Sequence, residues 1–187
     1  MTDDGSGNAR VAPRLREAIP AGALAYLTGF ALAHLAGRIV RTDPPPDGVV
    51  DAGPPAGTIA EGHEAAGAIL YSAHFVPVSP WPGWYSANAL LDTGIALPGS
   101  PVPRAGWFLA PAALVALGGY VLNERSLVSA TEARTAIGRG SWIAYGYLPP
   151  FLVGGVVMDV APLLVLVVGF VYPIALGGFG GYLSYRF

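Results

Sequence analysis

The side chains with most chemistry to offer in this sequence are three histidines and a neighbouring carboxylate: His34, His63, Glu64 and His74. Histidine and carboxylate are the materials of proton relays, general acid–base sites and metal centres. Their spacing limits that chemistry here. His63 and His74 are 11 residues apart, three helical turns, so on one helix they share a face but stand ~16 Å from each other. No single metal ion binds both within that helix. With Glu61 and Glu64 they could contribute to an outer-surface site completed by His34, a loose set without the tight spacing of a metal-binding motif. His34 lies inside a long apolar run, where a neutral imidazole is either satisfied by a neighbouring helix or serves in a proton relay. Cysteine is absent, which removes disulfides, thiolate catalysis and Cys-based zinc sites. No Ser/His/Asp signature, paired-carboxylate helix or HExxH is present. The four residues therefore stand as candidate functional positions only. No catalytic, cofactor-binding or metal residue is assigned, and a non-enzymatic role is expected.

These residues are embedded in a membrane protein by composition. Of the 187 residues, 53% are hydrophobic and 12% charged, about half the ~25% charge of a soluble domain. Residues 18–37 carry no formal charge, and ~20 residues at ~1.5 Å each cover a hydrocarbon core of ~30 Å. This is the first expected span, preceded by a polar cytoplasmic tail over 1–17; a cleaved signal peptide, with "ALA" at 31–33 as its cleavage site, is the rival reading. Further spans are expected over about 105–122, 140–157 and 160–183, the last two forming a tight antiparallel hairpin about Met158 and Asp159. A proline-rich acidic linker over 38–61 and a second Gly/Pro-rich segment after residue 85 leave a long irregular extracytoplasmic insertion. Within it, 62–78 holds an uninterrupted apolar run of only 14 residues, Ala65 to Val78, a length more typical of interfacial or re-entrant segments than of spans. An interfacial or re-entrant helix is expected there, with a fifth span as the alternative. The fold class is thus an all-α integral membrane bundle of four transmembrane helices, or five.

Arginine placement favours four. All ten basic residues are arginine, and short cytoplasmic loops are enriched in them. With both termini cytoplasmic, four spans put seven arginines inside (10, 14, 16, 125, 134, 139 and 186) against three outside (38, 41 and 104). Five spans in the same orientation leave four inside and six outside. Trp81, Trp84 and Trp107 then fall near the outer interface and Trp142, Tyr120, Tyr182 and Tyr185 near the inner one, as aromatic belts require. Arginine-only basic usage with Asp-rich polar segments suggests a salt-loving archaeon or another source with a GC-rich genome. No basic and aromatic cluster suited to nucleic acid is present.

Packing signals are clearer than catalytic ones. Ala21, Ala25, Gly29, Ala33 and Gly37 recur every four residues along the first span, and Gly169, Pro173, Gly177 and Gly181 repeat the arrangement in the last. Small residues at this spacing let helix backbones approach closely, a main source of association in lipid. The partner helix belongs either to this chain, to a second copy or to another membrane protein. "GGFGG" lacks the spacing of a phosphate loop. Pro149, Pro150 and Pro173 interrupt spans, as in transporters that build sites at mid-membrane. Asp159 just before Pro162 suits a helix N-terminus.

The segments "YSAHFVPV" at 71–78, "YLPPFLVGG" at 147–155 and "VYPIALGGFGGYL" at 171–183 resemble a group of small multi-pass membrane proteins of haloarchaea with no assigned function. The resemblance runs from the first span onward. It implies a membrane location and an archaeal source, and brings no catalytic or binding residue. The lipid bilayer is the expected partner. The function reading is a structural or accessory membrane component, with a small transporter or channel as the alternative.

Overall fold

The computed structural model describes residues 12–37, 62–78, 104–125, 130 and 132–187. Regular structure among them is helical: α1 (Ala12–Gly37), α2 (Gly62–Ala73), α3 (Arg104–Glu124), α4 (Ala133–Ser141), α5 (Ala144–Val157) and α6 (Pro162–Arg186). Three stretches are long and apolar enough to cross a bilayer: Leu15–Leu35, Gly106–Glu124 and Pro162–Arg186. Only 33%, 28% and 33% of these are buried within the chain, so most of their apolar surface faces outward.

Helix α1 starts inside the expected polar tail. Ala12 to Glu17 are helical, and Pro13 in the first turn removes no needed donor, because the first N–H groups of a helix have no partner anyway. The expected span over 140–157 is not one helix. It is α5, preceded by α4 and separated from it at Trp142 and Ile143. There the bonds tighten to three-residue steps, Trp142 N–H to the Arg139 carbonyl at 3.2 Å, Ile143 N–H to Gly140 at 3.3 Å and Tyr145 N–H to Trp142 at 3.1 Å. Such 3₁₀ geometry redirects a helix without ending it in a loop. Two glycines just before the break, Gly138 and Gly140, weaken helical preference there.

Both α2 and α5 end in the same device. The Val160 N–H bonds the Gly155 carbonyl at 2.9 Å and the Asp159 N–H that of Val156 at 3.2 Å; the Val76 N–H bonds Tyr71 at 3.0 Å and the Phe75 N–H Ser72 at 2.9 Å. These are Schellman motifs, which place one residue in the left-handed region. Here it is Asp159 (φ 50°) and Phe75 (φ 60°). Asp159 thus caps the C-terminus of α5 through its backbone. The N-terminus of α6 is formed instead by Ala161, whose carbonyl accepts from Leu164 and Val165 at 3.0 and 3.1 Å, with Pro162 at the first helical position.

The described chain groups into two compact units, one of Met1–Tyr26, Ala112–Phe151 and Gly169–Phe187, the other of Leu27–Pro111 and Leu152–Val168. The division falls inside α1, α3, α5 and α6, so each of these helices contributes to both.

The first unit is knit by helix crossings at glycine. A Cβ on Gly146 of α5 would sit against the carbonyls of Ile19 and Ala18 in α1. A Cβ on Gly177 of α6 would strike the Gly140 carbonyl and the Ile143 side chain. Only backbone-to-backbone approach fits such spaces, the mode that substitutes for hydrophobic drive between helices in lipid. The contacts also give direction. As α6 runs from Gly177 to Gly181, its partners run backward from Gly140 to Ala136, so α4 lies antiparallel to α6. Helices α3 and α6 run the same way, Gly119 meeting Gly177 and Asn123 meeting Ser184. Helices α1 and α5 also run the same way, Ile19 at Gly146 and Tyr26 at Phe151.

In the second unit Gly155 of α5 packs on Val165 of α6, and Gly67 of α2 on Met158. Helix α2 is buried at every position from Ala66 to His74. Two helical turns with no wet face are packed against other parts of the chain.

Candidate functional site

Of the four sequence candidates, His34 and His74 have described side chains. His34, half-buried in the last turn of α1, stacks on Phe30 one turn earlier, ring centroids 6.4 Å apart and planes 18° apart. His63 and Glu64 belong to α2, but their side chains lie outside the described residues, and the packing at Gly37 lies outside them too. Among the described residues, no group of three or more His, Cys, Asp or Glu is placed to hold a metal ion.

His74 is more buried than His34, 1% exposed at the C-terminal end of α2. Its Nδ1 lies 2.6 Å from the Leu70 carbonyl. Because a carbonyl only accepts, Nδ1 carries the proton, and the ring satisfies one of the carbonyls that the helix end would leave open. Burial lowers its pKa from 6.5 to about 4, and the bond to Leu70 opposes this only in part. The imidazole is therefore neutral in the fold down to about pH 4, while the unfolded chain takes up a proton below about pH 6.5. Above pH 6.5 both states are neutral and His74 contributes no pH dependence. As pH falls from 6.5 towards 4 the unfolded state binds the extra proton and stability drops. Unfolding in detergent followed across this window should show that loss, and His74→Gln should flatten it; an unchanged slope in the variant would assign the titration elsewhere.

A second polar cluster joins α3 to α6. The Asn123 amide donates to the Ser184 hydroxyl at 3.1 Å, and that hydroxyl donates to a carboxylate oxygen of Glu124 at 2.7 Å. Asn123 and Ser184 are buried and Glu124 is exposed, so a chain of bonds leads from an interior amide to an accessible charge. The Asn123 side-chain oxygen, Oδ1, is buried and accepts no hydrogen bond among the described residues. Ser141, at the α4–α5 break, shares its proton between the carbonyls of Ile137 at 2.9 Å and Ile174 at 3.0 Å, tying α4 to α6. Gly178 leaves the room for it, since a Cβ there would lie 2.8 Å from the Ser141 hydroxyl.

Between α1 and α5 sits an aromatic cluster. Tyr26 meets Tyr147 edge-on at 5.6 Å and Phe151 at 6.2 Å, and Tyr147 and Phe151 lie 5.8 Å apart. Edge-on pairs contribute ~0.5–1.5 kcal/mol beyond the area they bury. Tyr147 and Phe151 are fully buried.

The expected packing stripes land as follows. Ala25, Gly29 and Ala33 are buried and Ala21 is half-buried; Gly169, Pro173, Gly177 and Gly181 are buried. A backbone approach on α1 falls at Gly22, one residue off that stripe, where a Cβ would lie 2.5 Å from the Tyr147 nitrogen. Gly22, Gly119, Gly140 and Gly146 were not marked by the four-residue spacing. What marks them is only that each is a glycine inside an apolar helix, a choice that costs ~1 kcal/mol against alanine unless packing requires it.

No curated protein and no solved structure matches the chain. Residues 2–187 match the model of a family described as one of unknown function, DUF7978, and the chain belongs to that family.

Proposed function

We propose that the chain is an integral membrane protein that crosses the bilayer four times with both termini in the cytoplasm, and that it serves as a structural or accessory component of the membrane. The observation that carries the location is the outward apolar surface of α1, α3 and α6: Leu24, Leu27, Leu109, Leu117, Val167 and Val171 are all exposed. In water such a surface would associate without limit; in hydrocarbon it is already in its solvent.

A fourth crossing is supported by α5. Alone its 14 residues cover only ~21 Å, but α4 extends it, and together they pair with α6 from Ala136 opposite Gly181 to Gly155 opposite Val165. A segment that accompanies a spanning helix in this way lies at the same depth. Helix α2, with 12 residues worth ~18 Å and buried at every position from Ala66 to Ala73, fits a re-entrant element. The accessory role is favoured by how the polar groups are used. His74 and Ser141 bond backbone carbonyls, and Asn123 and Ser184 clamp α3 to α6; each strengthens the bundle.

The absence of native cysteine makes single-cysteine labelling direct. Asp159 and Glu132 are exposed at opposite ends of the α4–α5 segment. A membrane-impermeant maleimide added to intact cells should label Asp159→Cys and spare Glu132→Cys. Equal reaction at both would remove the crossing by α5. The role itself is tested in mild detergent, where the chain should be found as a defined self-assembly or a stoichiometric complex.

The alternative, a small transporter or channel, draws on the α4–α5 break, the proline pair Pro149 and Pro150 within α5 and the buried Pro173 in α6. Discontinuous helices build sites at mid-membrane in transporters. Vesicles holding a monomer would then show solute or ion flux altered by Pro173→Ala or His34→Ala.

A further inference from the structure

We propose that Phe75 is a lipid-inserted anchor that holds α2 at the boundary between hydrocarbon and headgroups. The proposal rests on the membrane reading above and adds to it a residue, a depth and a partner.

The first observation is conformational. Phe75 closes the Schellman motif of α2 with φ 60°, in the left-handed region that glycine enters freely and a bulky residue only under strain. A helix end needs only the backbone at this position, so the ring is not there for the cap. The second is exposure. Positions 66–74 and Val76 are buried, yet Phe75 between them is 64% exposed. The left-handed backbone turns this one side chain out of a segment otherwise packed inward. On one side it is braced by the ring of Phe108, centroids 5.1 Å apart and planes 29° apart. Leu109, next in sequence, is 67% exposed and continues the apolar surface.

The third observation sets the depth. Phe108 is the third residue of the stretch Gly106–Glu124, ~3 Å along the axis from its start. A further contact of α2 is Gly67 on Met158, the residue that follows α5. Both of these contacts fall at the ends of apolar helices. At that level an outward aromatic ring has acyl chains and glycerol backbones for neighbours, the zone in which aromatic side chains accumulate. Water would leave the ring unsolvated and the backbone cost without return.

The full chain carrying Phe75→Cys, nitroxide-labelled and reconstituted in phosphatidylcholine–phosphatidylglycerol vesicles, reports the depth through collisions with dissolved oxygen and with a water-soluble nickel chelate. Leu109→Cys supplies the hydrocarbon reference and Glu132→Cys the aqueous one. The label at 75 should collide with oxygen as the label at 109 does and lose the nickel collisions seen at 132. Nickel collisions at 75 equal to those at 132 would overturn the anchor in favour of an aqueous ring. Shielding from both reagents would overturn it in favour of protein cover, a second copy included. Nickel access at 109 as well would bring down the membrane reading and the anchor together, so the two failures are distinct. Should the label perturb the turn, Phe75→Gly is the second variant, since glycine accepts this backbone. With the reporter on exposed Pro77 as Pro77→Cys, loss of the ring should raise nickel collisions as α2 shifts outward; unchanged collisions would show that Phe75 anchors nothing.

Discussion

Replacing Gly146 with leucine is expected to destabilise the protein by at least ~3 kcal/mol, at the upper end of what overpacking costs. A Cβ at this position would lie 2.7 Å from the Ala18 carbonyl oxygen and 2.7 Å from the Ile19 carbonyl carbon. Those atoms are backbone, so no rotamer change makes room; α1 and α5 must separate. The separation would also open the aromatic cluster, because Tyr26 reaches Tyr147 and Phe151 across the same crossing. Denaturant unfolding in micelles, read by circular dichroism, measures the effect. Gly138→Leu is the control, on an exposed position with nothing within 4 Å of an added Cβ, where a change within ~0.5 kcal/mol is expected. If both variants behaved alike, the glycine crossing would not be what joins these helices.

The second large effect separates the two possible solvents. Val171 lies well inside α6 and is 57% exposed. On the surface of a water-soluble protein, Val171→Arg would change stability by no more than ~0.5 kcal/mol. In a helix surrounded by lipid an arginine near the centre costs ~2.5–3.5 kcal/mol on insertion scales. The variant should therefore fail to insert, or should appear in the membrane fraction at a small part of the normal level, while Val171→Leu inserts normally. Full insertion of the Val171→Arg chain, or its folding in plain buffer, would refute the outward apolar surface as a lipid surface.

Hydropathy and length made α1, α3 and α6 legible, because spanning a ~30 Å hydrocarbon layer constrains both. The same physics hid which face of each helix is buried. In water the buried face is the apolar one and sequence period reveals it; in lipid both faces are apolar and the period fades. The small-residue spacing therefore drew attention to Ala21, while the backbone contact falls on Gly22. The start of α1 was obscured by Arg14, Arg16 and Glu17, which read as tail but are compatible with a helix continuing past the apolar layer. Composition around 62–78 was also ambiguous: Glu64 and the following prolines suggest a surface, whereas Ala66 to His74 are buried. The break at Trp142 depends on α4 and α5 meeting different partners, Gly177 on one side and Ile19 on the other, which no local pattern encodes. For the site, His34 and His74 were visible as residue types, but the use of the His74 ring on its own helix end could be read only from coordinates.

The left-handed residue between α5 and α6 has a consequence for how the protein stays put. Glycine would relax this turn by ~1 kcal/mol or more, yet the position holds an exposed aspartate. For the α5–α6 pair to slip backward through the bilayer, that carboxylate would have to enter the hydrocarbon at a cost of ~2.5–3.5 kcal/mol. On the four-crossing topology proposed above, Asp159 would act as a barb, trading a little ease of folding for a loop that, once delivered across, does not withdraw.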